Sequence, residues 1–162
     1  MYHERTGTLT PDDILQELRG LLQGETDGVA TLANAASLLF LHLQNINWLG
    51  FYVLRHGELV LGPFQGKPAC TRIAVGRGVC GTACASGETL VVDDVELFPG
   101  HIACDPASRS EIVVPLRAHG ELVGVLDCDA PARSRFGRAE RDLFVAAATL
   151  IGDHLTRSDA TL

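Results

Sequence analysis

Residues 112–127 read IVVPLRAHGELVGVLD, two apolar runs separated by the turn sequence His119-Gly120-Glu121. Short apolar runs joined by a glycine-containing turn predict a β-hairpin. Pro115 predicts that its strand lies at a sheet edge or at a bulge, because proline has no backbone N–H to donate to a neighbouring strand. A hairpin pairs its strands antiparallel, so this stretch favours an antiparallel sheet.

A second hairpin is predicted upstream, where residues 48–61 read WLGFYVLRHGELVL. Its aromatic and β-branched residues favour strands, and the Gly- and Pro-rich residues 62–68 predict a loop after it. Helical periodicity predicts two N-terminal helices at about 11–44, beginning after the N-cap Thr10, and a C-terminal helix at about 138–157. Hairpins with separate helices indicate an α+β fold, an antiparallel β-sheet flanked by helices.

The segment from Asp93 to Ser110 lacks a regular pattern but holds apolar residues, a histidine and a cysteine. Loops of this length are uncommon in compact domains unless they are functional. We therefore predict an ordered active-site loop, within a sheet region at about 47–130. A short helix is predicted just before it, from Val79 to Ala85.

The composition favours one globular domain spanning residues 1–162, with 46% hydrophobic and 20% charged residues. The N-terminal residues are polar and lack a signal-peptide pattern, and no apolar run approaches membrane-spanning length, so a cytoplasmic protein is predicted. The net charge is −7 and basic residues are scattered, which argues against nucleic-acid partners. No membrane partner is expected, and a homodimer stays open.

Five cysteines in a reducing compartment are not a structural disulfide framework. Cys70, Cys80 and Cys104 stand in loop-like settings flanked by glycine or proline, whereas Cys84 and Cys128 fit packed positions. A zinc site can be drawn from Cys80, Cys84, His101 and Cys104, but the usual paired knuckles are missing. Thiol redox chemistry is the better interpretation, since it needs one nucleophilic thiolate and a second cysteine to resolve it.

Asp127 and Asp129 lie one residue apart near a strand end, so both project from one face while Cys128 points away. Glu111 begins the strand predicted to pair with theirs. These acids are either solvated strand ends or the wall of a polar pocket beside the thiol-bearing loop. Sulfoxide reduction uses both parts: a thiolate attacks sulfur while an acid protonates the departing oxygen.

Several motifs resemble the free methionine-(R)-sulfoxide reductases, which are stand-alone GAF-domain enzymes that repair oxidised methionine. The resemblance runs from about Asn47 to Pro131, with cysteine intervals of 10 and 24 residues. It is carried by residues 47–52, 61–70, 78–81, 98–105, 110–116 and 124–127.

The resemblance implies that Cys104 is the catalytic cysteine, that Cys70 resolves its sulfenic acid into a disulfide, and that Cys80 is a third thiol that relays or substitutes. It implies free methionine-(R)-sulfoxide as substrate, thioredoxin as the electron donor, and no bound cofactor or metal. The alternative is a non-catalytic GAF module that binds a ligand or senses redox state.

The resemblance also implies a substrate pocket. Acidic side chains hold the ammonium and sulfoxide groups, aromatic side chains line the methyl and thioether, and backbone amides of the active-site loop receive the carboxylate. Which acid donates the proton is left open. In this sequence the corresponding residues are Glu111, Asp127, Asp129, Trp48, Tyr52, Ile102 and Ala103.

Overall fold

A computed structural model describes residues 9–102 and 104–162, so the predicted site residue Ala103 lies outside the described residues. The helices are α1 Pro11–Leu22, α2 Gly28–His42, α3 Gly78–Ser86 and α4 Arg138–Ser158. The strands are β1 Trp48–Arg55, β2 Glu58–Gly66, β3 Arg72–Ala74, β4 Leu90–Val92, β5 Ser110–Ala118 and β6 Glu121–Ala130. The predicted α+β class is confirmed.

The predicted helix start at Thr10 is confirmed, because the Thr10 hydroxyl accepts a hydrogen bond from the Asp13 amide and the Asp13 carboxylate caps Thr10 in return. Asp27 caps α2 in the same way, by accepting from the Ala30 amide. Each cap satisfies an amide that the first helical turn would otherwise leave unpaired. Among the described residues, no helix is both long and apolar enough to cross a membrane.

The strands form one antiparallel sheet in the order β3-β2-β1-β6-β5-β4. Both predicted hairpins are present, and pairing of β1 with β6 joins them at the centre of the sheet, with Trp48 opposite Asp129. This pairing sets the start of the first hairpin beside the end of the second. The functional residues of both hairpins therefore meet at one end of the sheet.

The predicted loop at residues 62–68 is partly wrong, because β2 continues to Gly66. The pairing with β1 shifts here: Tyr52 lies opposite Leu61, but Gly50 lies opposite Phe64. The irregularity places Pro63 in a bulge, where its missing N–H removes no ladder hydrogen bond. Proline and glycine thus mark a bulge within the strand and not its end.

Pro115 also occupies a local edge, as predicted. Strand β4 pairs with β5 only along Glu111–Val113, so at Pro115 the strand has a neighbour on the β6 side alone.

The two faces of the sheet carry separate apolar clusters. Helices α1, α2 and α4 cover one face, where Leu18, Leu39 and Phe144 pack against Phe51. Helix α3 and the long loop lie over the other face, whose smaller cluster includes Tyr52. Successive strand residues point to opposite faces, so Phe51 enters the large core and Tyr52 the functional side.

Candidate active site

Three acidic side chains form one wall of a pocket on the α3 face. Glu111 on β5 lies opposite Asp129 on β6, and Asp127 is two residues along the same strand. Glu111 is 6% exposed and Asp127 5% exposed. The interpretation of these acids as solvated strand ends is therefore wrong, and Cys128 points into the opposite core as predicted.

Cys80, on α3, contacts this acidic wall. Its Sγ atom donates to Oε1 of Glu111 at 3.9 Å. The short helix predicted at Val79–Ala85 is present as α3, so Cys80 lies in a helix and is buried, and the loop-like setting also predicted for it is wrong. Gly81 lets α3 approach β3 so closely that a side chain at this position would collide with the Ala74 carbonyl, and this close packing buries Cys80.

Cys70 and Cys104 are joined by a disulfide, with Cα atoms 5.6 Å apart and a sequence separation of 34 residues. Cys70 follows β2, and Cys104 lies in the long loop after β4. Cys104, Ile102 and His101 all line the pocket. The disulfide therefore lies beside the acidic wall and brings together the two thiols to which the resemblance assigns attack and resolution.

Trp48 and Tyr52 line the pocket and also hold the segment that carries Cys70. The Trp48 indole N–H donates to the Lys67 carbonyl at 3.1 Å, and the Tyr52 hydroxyl donates to the Cys70 carbonyl at 2.9 Å. The Trp48 ring stacks between those of Tyr52 and Phe64, with centroid distances of 5.9 and 5.4 Å. Positioning of the Cys70 backbone is a function of these aromatics that sequence reasoning missed.

A hydrogen-bonded cluster fastens the long loop directly after Cys104. The Asn47 side-chain amide donates to Asp105 and to Ser108, each at 3.1 Å. The Asp105 carboxylate also accepts from the Ala107 amide, which is the main reason its pKa is lowered. Sequence reasoning missed this cluster because Asp105 and Ser108 are 58 and 61 residues from Asn47. The available signal was the acidic residue Asp105 directly after Cys104.

Burial dominates the electrostatics of the acidic wall. Loss of solvent raises the pKa of Glu111 and of Asp129, and the charge of Asp127 raises both further. Burial raises the pKa of Asp127 to about 7 and also raises that of the Cys80 thiol, next to Asp127. The wall therefore holds protons at neutral pH that ordinary carboxylic acids would have lost.

The Cys104 amide donates to the Ile102 carbonyl at 3.0 Å. In the disulfide form, this amide is therefore already paired. The carboxylate-binding role implied for Ile102 and Ala103 stays a prediction.

The zinc site that could be drawn from Cys80, Cys84, His101 and Cys104 cannot form in this structure, because Cys104 is bonded to Cys70. A different group could hold a metal ion: one atom each of Cys80, Glu111 and Asp127 lie within 4.8 Å of one another. Cys84 is buried in the same helix, as its predicted packed position requires.

The antiparallel sheet, the four helices and the pocket on the α3 face define a GAF-type domain, and residues 12–155 match the GAF domain family. The free methionine-R-sulfoxide reductase of Escherichia coli is 54% identical over 76% of this chain and 75% of its own length. The same enzyme from Neisseria meningitidis, solved in complex with its substrate, superposes with a TM-score of 0.88 at 40% identity, covering 99% of this chain and 98% of that chain. The reduced fRMsr of Staphylococcus aureus gives a TM-score of 0.88 at 43% identity over 95% and 99% of the two chains.

The chain therefore belongs to the free methionine-R-sulfoxide reductases, a family of GAF-domain oxidoreductases.

Proposed function

We propose that this protein reduces free L-methionine-(R)-sulfoxide to methionine and recovers its own thiols from thioredoxin. The observation that carries the proposal is the Cys70–Cys104 disulfide beside a pocket walled by the buried acids Glu111 and Asp127. The relatives named above carry the same activity in their names.

The first step is attack by the Cys104 thiolate on the sulfoxide sulfur. The oxygen then passes to the Cys104 sulfur: its bond to the methionine sulfur and the new bond between the two sulfur atoms both break, methionine leaves, and Cys104 carries a sulfenic acid. The Cys70 thiol then forms a bond to the Cys104 sulfur and releases water. Two thiols have been oxidised to one disulfide and one sulfoxide has been reduced, so electrons and atoms balance.

The acidic wall supplies both charge and protons to this step. A protonated carboxyl delivers a proton to the sulfoxide oxygen, because unprotonated oxide is a poor leaving group. The raised pKa values of Glu111, Asp127 and Asp129 keep protons available for this role at neutral pH. An ionised neighbour within the same wall pairs with the substrate ammonium, and Trp48 and Tyr52 contact the methyl and thioether.

The enclosed acidic wall also explains a preference for the free amino acid. A peptide-bound methionine sulfoxide lacks the α-ammonium group that these acids would pair with. Binding it would place an uncharged amide against buried carboxylates, which leaves them without a counter-charge.

Thioredoxin completes the cycle by thiol–disulfide exchange with the Cys70–Cys104 disulfide. Cys80 lies next to Glu111 and serves as a relay or a substitute resolver. No bound cofactor is needed, since the two electrons come from thiols. A thioredoxin-dependent repair enzyme fits the cytoplasm, where thioredoxin and glutathione keep thiols reduced.

The test is a thioredoxin-coupled assay that follows NADPH oxidation with three substrates. Free methionine-(R)-sulfoxide should support turnover, whereas the free S epimer and a peptide-bound sulfoxide should give only the background rate. Binding of the R epimer without NADPH oxidation would instead identify a ligand-binding or redox-sensing GAF module. Equal rates with the peptide would contradict the assignment of the acids to the ammonium group.

A further inference from the structure

We propose that the pocket also binds a zinc-class divalent cation through Cys80, Glu111 and Asp127, and that this ion excludes the substrate ammonium. The inference rests on the proposed function only in identifying the excluded ligand as the substrate. The cation site itself follows from the geometry of the three side chains. It makes the pocket a point of reversible inhibition by a metal ion.

Potential ligand atoms of the three residues lie within 4.8 Å of one another, and Cys80 Sγ is 3.9 Å from Glu111 Oε1. A tetrahedral zinc ion with bonds of about 2.3 Å to sulfur and about 2.0 Å to oxygen separates its ligands by about 3.5 Å. Cys80 and Glu111 would need to approach by about 0.4 Å, and a pair at the 4.8 Å limit by about 1.3 Å, which side-chain rotation can supply.

Oδ1 of Asp127 is buried and has no hydrogen-bond partner among the described residues, and Asp127 is only 5% exposed. A buried carboxylate oxygen normally contacts a donor or a cation. Among the described residues that line the pocket, His101 alone is basic, and its Nε2 atom lies 3.9 Å from Glu111 and not beside Asp127.

The ligand chemistry favours zinc over magnesium or calcium. Hard cations select oxygen ligands, whereas one thiolate with two carboxylates suits a borderline-soft ion. Three protein ligands leave a fourth position open, and all three residues line the pocket. A water molecule or the His101 imidazole would complete the coordination, and the Cys80 proton and any protons on the Glu111 and Asp127 carboxyls would be released to solvent on binding.

The site does not depend on the redox-active pair. Cys70 and Cys104 are bonded to each other, whereas Cys80 is free. The disulfide form is therefore the form in which to measure the site, because neither Cys70 nor Cys104 can act as a ligand and the substrate cannot be turned over.

The experiment is a Co²⁺ titration of the disulfide form, in which a thiolate ligand produces a near-ultraviolet charge-transfer band. We expect one Co²⁺ per chain, a band that Zn²⁺ abolishes by displacement, and loss of the band in Cys80→Ser. The matched control is Cys84→Ser, one helical turn away on α3, which should keep the band. Asp127→Asn should retain the fold and weaken Co²⁺ binding about tenfold or more.

Absence of a band, or a band that survives Cys80→Ser, would overturn the proposal. Free methionine-(R)-sulfoxide should weaken Co²⁺ binding in proportion to its concentration, and a band insensitive to it would overturn the exclusion of the ammonium. These outcomes are separate from the NADPH-coupled assay, because failure of Co²⁺ binding leaves turnover unaffected and failure of turnover leaves the band measurable.

Discussion

At the scale of single residues, the disulfide divides the chemistry between two cysteines in different loops. Cys104 lies in the loop that lines the pocket, whereas Cys70 does not line it and reaches it through the disulfide. This arrangement predicts that substitution of the two cysteines will affect different steps of the reaction.

Cys104→Ser should abolish turnover, because the attacking sulfur is missing. Cys70→Ser should release about one methionine per enzyme and then fail to cycle at the normal rate with thioredoxin, because the sulfenic acid lacks its resolving partner and only Cys80 is left to substitute for it. Single-turnover release of methionine measures the first effect and steady-state NADPH oxidation the second. Cys128→Ser, on the opposite face of the sheet, is the control with a normal burst. Steady-state activity in the Cys104 variant would contradict the mechanism.

A buried acid destabilises the fold when it is ionised, so the free energy of unfolding depends on pH. The pKa of Asp127 rises from 3.8 in its ordinary setting to about 7 in the fold, so between these values the folded state binds more protons than the unfolded chain. Its contribution is favourable at low pH and is lost as the pH rises through about 7.

Asp127→Asn should therefore raise the free energy of unfolding by about 1–3 kcal/mol at pH 8 and by much less at pH 4. Thermal or urea unfolding at the two pH values measures the difference. Asp93→Asn is the matched control, because Asp93 is exposed and does not line the pocket. A stabilisation of equal size at both pH values would mean that desolvation of the charge is not its cause.

At the scale of elements, the long loop has little regular structure beyond the 3-10 turn Val95–Leu97. Side chains order it instead. Asn47, just before β1, bonds Asp105 and Ser108, and Lys67 forms an ion pair with Asp105 at 3.6 Å. These contacts tie the end of the loop to the segment that carries Cys70.

Asn47→Ala should slow the first chemical step about ten- to a hundredfold, because the loop would no longer hold Cys104 in line with the substrate. Single-turnover methionine release measures the rate, and hydrogen exchange at residues 104–109 measures the loss of order. Asn34→Ala, at an exposed position of α2, should change neither. A slower rate with unchanged exchange would show that Asn47 acts on the substrate and not on the loop.

At the scale of the whole molecule, three helices pack on one face of the sheet and leave the other to the pocket. Helix α4 approaches β5 closely at Gly152, where a Cβ atom would collide with the Arg117 carbonyl. The stability of the domain therefore depends on a contact on the face opposite the chemistry.

Gly152→Ala should lower the free energy of unfolding by about 1–3 kcal/mol, because α4 must move away from the sheet. Gly20→Ala is the matched control: it is a glycine in α1 with no atom near its absent side chain, so alanine should stabilise by about 0.5–1 kcal/mol. Chemical denaturation measures both. A stabilised Gly152→Ala variant would contradict the close helix–sheet approach.

The sequence alone specified the two central hairpins, the helix starts and the residues able to perform thiol and acid chemistry. These features follow from local patterns: alternation along strands put Asp127 and Asp129 on one face and Cys128 on the other. Local signals misled at Gly62 and Pro63, where they mark a bulge, and at Cys80, where nearby glycines allow a helix to pack closely.

Only the tertiary structure decided which groups meet. It brought Cys70 to Cys104 across 34 residues and Asn47 to Asp105 across 58, and it buried Glu111 beside Cys80. Contacts of this kind depend on strand order and helix packing, which no local pattern encodes. The raised pKa values of the acids, and with them the chemistry of the pocket, arise from that burial.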